Sequence, residues 1–142
     1  MKYSPVQNYI NGQFVDAGSA RTLDVISPLD GDLLSKVPMS TGKDLDNAVK
    51  AAKAAFPKWS HTPIKERVQV FFKYKYLLEQ NLKELAELVS EENGKTIGEA
   101  TAEIEKCIEL TEFACSLPQL VTGEVLEVSK GVECRTEHVP LG

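Results

Sequence analysis

The sequence Ser90-Glu91-Glu92-Asn93-Gly94-Lys95-Thr96 ends one helix and begins the next. Gly94 suits the position just past a helix end, because glycine adopts a left-handed conformation without a steric penalty at Cβ. Thr96 and Glu99 have the spacing of a capping box, in which each side chain satisfies a backbone N–H group at a helix start. The pattern therefore predicts two helices joined by a short hinge.

Apolar stripes on both sides of the hinge support these two helices. Upstream, apolar residues recur with the spacing of one helix face: Leu78, Leu82, Leu85 and Val89. Downstream, a second stripe has the same spacing: Ile97, Ala100, Ile104, Ile108 and Cys115. Each stripe marks the apolar face of one helix, with Gly94 between the two helices.

Residues 8–39 are predicted to form short strands separated by turns. Asn11-Gly12 is a dipeptide typical of tight hairpin turns and lies between two short apolar segments. Asp30-Gly31 marks a second hairpin, whose loop is longer because Pro28 interrupts the strand pattern. Two hairpins are therefore expected before the helices begin.

Residues 41–116 are predicted to be helical. Thr41 with Asp44 marks the first helix start, and the side chains expected to face the core are Leu45, Ala48, Val49, Ala52 and Phe56. Pro57 is expected to end this helix, because its ring clashes with the preceding turn. Thr62-Pro63 predicts the next start, with Thr62 as the cap and proline at the first helical position. The apolar side of that helix is expected to be Ile64, Val68, Phe71 and Leu78, and Asn81 with Glu84 predicts a restart after a slight break.

Residues 122–140 return to a strand pattern around a turn at Lys130-Gly131. In the second strand, charged residues on one face alternate with mildly apolar ones on the other: Glu133, Arg135 and Glu137 against Cys134, Thr136 and His138. Such a strand is not buried on both sides. Two interpretations fit the pattern: a solvated hairpin packed on its own helices, or an arm whose exposed backbone groups pair with another chain.

Composition excludes several classes of protein. The chain has 142 residues and a net charge of −5, which argues against nucleic acid as a partner. Its N-terminus lacks the apolar segment of a signal peptide, and no run approaches the roughly 20 apolar residues of a membrane span. Three irregularly spaced cysteines do not form a disulfide framework, so we expect a soluble cytoplasmic protein.

The cysteines and histidines are weak candidates for chemistry. We expect Cys107 and Cys115 to pack in the core, and Cys134 lies in a strand with no positioned base. His61 is expected in a surface loop and His138 on the hairpin. Two isolated histidines without ligands at suitable spacing do not make a zinc site.

Several segments, in order, resemble the N-terminal part of aldehyde dehydrogenases. The hinge resembles the family's Asn-Gly-Lys turn, and residues 9–15 resemble its opening strand pair. Residues 25–31 resemble its Asn-Pro-x-x-Gly turn, with Ser27 in place of Asn. Residues 48–59 are similar to the following helix. Residues 112–116 and 140–142 look most like the methylmalonate-semialdehyde dehydrogenase branch, whose members make acyl-CoA.

The resemblance implies an α/β fold with short β-hairpins, a helical bundle and an oligomerisation β-arm. Residues 1–121 would be the N-terminal part of an NAD-binding domain, and residues 122–142 would be the arm. Because the arm pairs with a neighbouring subunit in the family, it implies a homo-oligomer. The residues implied to make the arm contact are Val132, Cys134, Arg135, Thr136 and His138. The backbone oxygens of Val25 and Ile26 with the Glu92 carboxylate would hold a monovalent cation, although Glu92 replaces the usual Asp and a solvated helix-end charge is the alternative.

Two functions from different classes follow. In the first, the chain is part of an NAD-dependent aldehyde dehydrogenase in which a cysteine thiolate attacks the aldehyde and coenzyme A takes the acyl group. The nucleophile, the general base, the oxyanion donor and the nucleotide site of the family match nothing in this sequence, so the chain alone is expected to be inactive. In the second, the chain is a non-catalytic assembly module acting through its arm. Without the family's nucleotide-binding sheet, the apolar stripes from Leu45 to Phe56 and from Ile97 to Cys115 are expected to lose their partners, which predicts an oligomer or a partly molten monomer.

Overall fold

Three antiparallel hairpins and a set of helices make up the structure, a computed structural model that describes residues 1–141. The strands are β1 Asn8–Ile10, β2 Gln13–Val15, β3 Thr22–Ile26, β4 Leu33–Pro38, β5 Glu124–Ser129 and β6 Val132–Thr136. The helices are α1 Gly42–Ser60, α2 Ile64–Arg67, α3 Gln69–Gln80, α4 Leu82–Asn93, α5 Ile97–Cys115 and α6 Leu117–Leu120. The predicted order of hairpins, helical bundle and final hairpin is confirmed. Gly142, the end of the predicted arm segment, lies outside the described residues.

The two N-terminal hairpins form at the predicted turns. Strands β1 and β2 pair with Ile10 opposite Gln13, which leaves only Asn11 and Gly12 in the turn. Both turn residues have positive φ, 53° and 77°, as the tightest hairpin turns require. Strands β3 and β4 pair with Val25 opposite Ser35, and the register shifts after Val25.

The N-terminal segment runs beside β4. The backbone N–H groups of Lys2 and Tyr3 donate to the carbonyl of Leu34 at 3.0 and 2.8 Å, and that of Val6 donates to Lys36 at 2.9 Å. The hydroxyl of Ser35 donates to the Ser4 carbonyl at 2.7 Å. Residues 2–6 therefore cover the edge of β4, which would otherwise offer unpaired backbone groups.

The hinge between α4 and α5 has the predicted geometry. Gly94 follows α4 with φ 77°, and its N–H donates to the Ser90 carbonyl at 2.9 Å. The Thr96 hydroxyl accepts from the N–H of Glu99 at 3.3 Å, while the Glu99 carboxylate accepts from the N–H of Thr96 at 3.0 Å. The same reciprocal box opens α1, between Thr41 and Asp44. Both predicted helix starts are confirmed.

The core lies where α4 packs on α5. Ala86, Ala100 and Ile104 are buried, and Ala100 is fully enclosed. Partly buried apolar side chains surround them: Leu82, Leu85, Val89 and Ile108. The small side chains allow the two helices to approach closely, so the stripes on both sides of the hinge meet. The stripe from Ile97 to Cys115 was expected to lose its partners, and that expectation is wrong for Ala100 and Ile104, which α4 covers. Ile97, at the start of α5, is instead exposed.

Two predicted helix boundaries around residue 60 are wrong. Pro57 lies inside α1, which continues to Ser60, so proline does not end the helix. Side-chain hydrogen bonds from the residues that follow hold this last turn. The Pro57 carbonyl accepts from Nδ1 of His61 at 2.7 Å, and the Lys58 carbonyl accepts from the Thr62 hydroxyl at 3.0 Å. Thr62 thus finishes α1 instead of capping α2, and Pro63 is the N-cap residue of α2.

The break at Asn81 is confirmed, but its predicted cap is not. The Asn81 side chain donates to the Leu77 carbonyl at 2.7 Å and so satisfies a carbonyl at the end of α3. No side-chain hydrogen bond caps α4. On the helices before the break, Val68 and Leu78 are buried as predicted, whereas Phe71 is exposed.

The predicted core face of α1 is uncovered. Leu45 and Val49 are 65% and 48% exposed, Ala52 is exposed, and α1 contains no buried residue. The expectation that this stripe faces a core is therefore wrong for residues 1–141. Ala48 and Phe56 are half-buried, and β1 borders this face only across open grooves, so most of the stripe is uncovered, as the loss of its family partners led us to expect.

Candidate functional site

The hairpin of β5 and β6 is the most exposed element of the described chain. Each of its residues is exposed, including the apolar Val125, Leu126, Val128 and Val132. The strands pair with Leu126 opposite Cys134, and the register shifts after Glu127. A hairpin packed on its own helices would bury one face, so that interpretation is wrong. Both faces of the hairpin are thus open within residues 1–141, and its role as an arm stays a prediction.

The two faces of this hairpin differ in chemistry. The pairing register and the alternation of strand residues put Leu126, Val132, Cys134 and Thr136 on one face, with Glu124 at its end opposite Thr136. The opposite face carries Val125 with Glu127, Glu133 and Arg135. We refer to the first as the apolar face of the hairpin.

The structure places most of the predicted arm residues within β6. Val132, Cys134 and Thr136 share the apolar face, whereas Arg135 is on the charged one. His138 lies beyond the end of β6 and is exposed. No partner chain tests the contact, so the arm residues stay a prediction.

The predicted cation ligands are only partly brought together. Val25 of β3 and Glu92 of α4 line one small cavity of about 190 Å³, between the N-terminal segment and the end of α4. Ile26 does not line it. Within residues 1–141, no cluster of three or more His, Cys, Asp or Glu side chains could hold a metal ion. A site built from two backbone oxygens and one carboxylate therefore stays a prediction.

Glu91, the neighbour of the predicted ligand, has a role that the sequence did not indicate. Its carboxylate forms an ion pair with Nζ of Lys2 and accepts a hydrogen bond from the Tyr3 hydroxyl at 2.8 Å. The hydrogen bonds from Lys2 and then Tyr3 lower the pKa of Glu91. Contacts between residues so far apart leave no periodic signal, which is why sequence reasoning missed them.

None of the three cysteines is placed as a nucleophile. Cys107 is exposed on α5, so the prediction that it packs in the core is wrong; the buried side chains of α5 are Ala100, Ile104 and Thr111. Cys115 is partly buried as the last residue of α5, where the negative end of the helix dipole does not stabilise a thiolate. Cys134 is exposed on the hairpin. His61 is exposed after α1, as predicted.

A dinucleotide site is not formed by the described residues. Dinucleotides bind at the carboxyl ends of parallel strands, beside a helix N-terminus. Each sheet in residues 1–141 is a two-stranded antiparallel hairpin, so these residues do not fit NAD by themselves. In the same part of the chain, no helix has the length and apolarity to span a bilayer.

Comparisons with known proteins agree on one family. Residues 14–142 match the model of the aldehyde dehydrogenase family. A malonate-semialdehyde dehydrogenase from Geobacillus thermodenitrificans is 46% identical over 138 residues, which make up 96% of this chain and 28% of that protein. A malonate-semialdehyde dehydrogenase from Bacillus pumilus is 43% identical over the same shares.

The fold comparison gives the same result. A Sinorhizobium meliloti protein assigned as methylmalonate-semialdehyde dehydrogenase, and solved with NAD, superimposes with a TM-score of 0.87 at 36% identity. The match covers 95% of this chain and 28% of that one. The chain thus spans little more than a quarter of the length of its relatives. Within that span, its hairpins and helices have the same arrangement as those of the S. meliloti protein. By sequence and by structure, the chain belongs to the aldehyde dehydrogenase family.

Proposed function

We propose that this chain supplies the N-terminal scaffold and the subunit-contact arm of an NAD-dependent, acyl-CoA-forming semialdehyde dehydrogenase. The observation that carries the proposal is the 46% identity to a malonate-semialdehyde dehydrogenase over 96% of the chain. The likeness to a methylmalonate-semialdehyde dehydrogenase solved with NAD supports the same class of substrate and the same cofactor. The substrate would be a short aldehyde carrying a carboxylate. Three free cysteines suit a reducing cytoplasm.

The proposed reaction would form a thioester between a cysteine thiolate and the aldehyde carbon, and NAD, if bound, would supply the hydride acceptor. Coenzyme A then takes the acyl group from the thioester. The described residues are expected to contribute no group to these steps, since the family's nucleophile, general base and nucleotide site match nothing in this sequence. Their part would be to pack against the nucleotide-binding sheet and to present the hairpin.

The test begins with the polypeptide isolated from its native source. Its intact mass is compared with the 15.6 kDa of this chain, and it is assayed with malonate and methylmalonate semialdehydes, NAD and coenzyme A. We expect a larger polypeptide that forms NADH and acyl-CoA with at least one of the two aldehydes. Release of the free acid in the presence of coenzyme A would contradict acyl transfer. NADH formation by the pure 142-residue chain would contradict its predicted inactivity.

The second candidate is a non-catalytic assembly module, favoured by the complete exposure of the hairpin. Leu126, on the apolar face, is 65% exposed, and Leu110, on α5, is 61% exposed. We expect the 142-residue chain to self-associate through the hairpin, so Leu126→Glu should lower its mass in sedimentation while the matched Leu110→Glu does not. The reverse result would assign self-association to the uncovered helices. A native polypeptide of 142 residues without turnover would favour this second function.

A further inference from the structure

The chain contains two Asn-Gly dipeptides, Asn11-Gly12 and Asn93-Gly94, in different structural settings. In this dipeptide the backbone nitrogen of glycine can attack Cγ of the asparagine side chain, because glycine has no Cβ to block the approach. A C–N bond forms, the bond to the side-chain nitrogen breaks, and ammonia leaves a cyclic imide. Water then opens the ring to aspartate or isoaspartate. The reaction requires that the glycine nitrogen be free to reach its near-attack geometry.

Asn93-Gly94 is held away from this geometry. Asn93 is the last residue of α4, and the N–H of Gly94 donates to the Ser90 carbonyl at 2.9 Å. A Cβ built on Gly94 would lie 3.0 Å from Cγ of Pro28, so the hinge is also in contact with the β3–β4 loop. Attack at Asn93 would require the last turn of the helix to open.

Asn11-Gly12 has no such restraint. Both residues are exposed and together form the whole turn between β1 and β2. In residues 1–141, neither the side chain of Asn11 nor the N–H of Gly12 forms a hydrogen bond, and no atom lies within 4 Å of a Cβ built on Gly12. Strands of three residues on each side hold the turn weakly compared with a capped helix.

We propose that Asn11 is a site of spontaneous modification, converting through the cyclic imide to aspartate and isoaspartate, while Asn93 is protected by the fold. Isoaspartate would add a carbon atom to the backbone of the turn and so lengthen it. The pairing of Ile10 with Gln13 and the contact of the Tyr9 and Phe14 rings, whose centroids lie 4.9 Å apart, would be disturbed. Each conversion adds one negative charge beside the uncovered face of α1, in the groove lined by Tyr9, Asn11 and Ala52.

The experiment follows both sites in the same molecule. The 142-residue chain is incubated at mildly alkaline pH, digested, and the two Asn-containing peptides are separated into their asparagine, aspartate and isoaspartate forms. In the native chain we expect Asn11 to convert at least roughly tenfold faster than Asn93, because only the Asn93 site must first open locally. In concentrated urea, where the dipeptides are equivalent, the two rates should converge.

Equal native rates, or faster conversion at Asn93, would overturn the proposal. The proposal would also be overturned if Asn11 stayed intact in the native chain while Asn11 and Asn93 both converted in urea. The variant Asn11→Gln provides a chemical control, since the longer side chain cannot form the same ring as readily. It should remove the isoaspartate signal of the native chain and leave the urea signal from Asn93 unchanged.

Discussion

The hydroxyl of Tyr3 donates a 2.8 Å hydrogen bond to Oε2 of Glu91, a residue 88 positions further along the chain. The other oxygen of the same carboxylate forms an ion pair with Nζ of Lys2. Because the backbone of Lys2 and Tyr3 is also bonded to Leu34, the N-terminal segment ties β4 to the end of α4. This connection joins the β3–β4 hairpin to the hinge.

Removing the Tyr3 hydroxyl should weaken this connection. Tyr3→Phe leaves the ring in place and deletes only the hydrogen bond, so we expect a lower melting temperature by circular dichroism. Tyr76→Phe is the matched control, because Tyr76 is exposed on α3 and its hydroxyl forms no hydrogen bond among residues 1–141. Equal melting temperatures for the two variants would show that the contact contributes nothing to stability.

The stabilisation by Glu91 should depend on pH. Its pKa is lowered from an ordinary value of 4.5 by the hydrogen bonds from Lys2 and Tyr3. A lowered folded-state pKa stabilises the fold above the unfolded value, and this contribution is lost as the pH falls through the folded pKa. The pKa values of Lys2 and Tyr3 are raised, chiefly by their hydrogen bonds to Glu91, so their contribution is lost as the pH rises through those values.

The measurement is the difference in melting temperature between the unmodified chain and Glu91→Gln across pH. We expect it to be largest near neutral pH and to shrink as the pH falls below the ordinary value of 4.5 and through the lowered pKa of Glu91. The difference in melting temperature should shrink again in strong alkali, where Lys2 and Tyr3 lose their protons. The control is Glu92→Gln, since the Glu92 side chain forms no hydrogen bond in the described chain. A Glu91→Gln difference that is constant with pH would contradict the ionic contact.

The contact between α4 and α5 should not tolerate a larger side chain at Ala100. This residue is 0% exposed and packs against Ala86 and Ile104. Ala100→Leu should lower the free energy of unfolding by about 1–3 kcal/mol, as expected for overpacking. Ala102→Leu, exposed on the same helix, should change it by less than about 0.5 kcal/mol. Urea unfolding of both variants tests this, and equal midpoints would contradict a packed core at Ala100.

Local signals in the sequence were reliable where the chemistry is local. Three features depend on contacts between residues close in sequence: the capping boxes at Thr41 and Thr96 and the Asn11-Gly12 turn. The structure confirms all three. Pro57 and Thr62 were predicted wrongly for a related reason. Thr62 was assigned to the start of α2, but its hydroxyl bonds a carbonyl at the end of α1. Pro57 was assigned to the end of α1 but lies within its last turn.

Long-range features could not be derived from periodicity. The stripe on α1 has the spacing of a core face, yet a pattern shows only that a face is apolar and not which element covers it. The same limit applies to Cys107, whose apolar neighbours suggested burial although its own face of α5 is open. The link between Tyr3 and Glu91 carries no sequence signature. The cation and arm residues rest on family resemblance and remain predictions.

Gly94 and Gly98 should respond in opposite directions to the same substitution. At Gly94, φ is 77° and a new Cβ would lie 3.0 Å from Pro28, so Gly94→Ala should destabilise the fold by about 1–2 kcal/mol from the left-handed backbone alone. Gly98 is the second residue of α5 with open space around it, so Gly98→Ala should stabilise the fold by up to about 0.5 kcal/mol, less than in the middle of a helix. The measurement is the urea midpoint of each variant at constant slope. If Gly94→Ala proved neutral, the hinge would not require a left-handed residue, and the resemblance of this segment to the family turn would have no conformational basis.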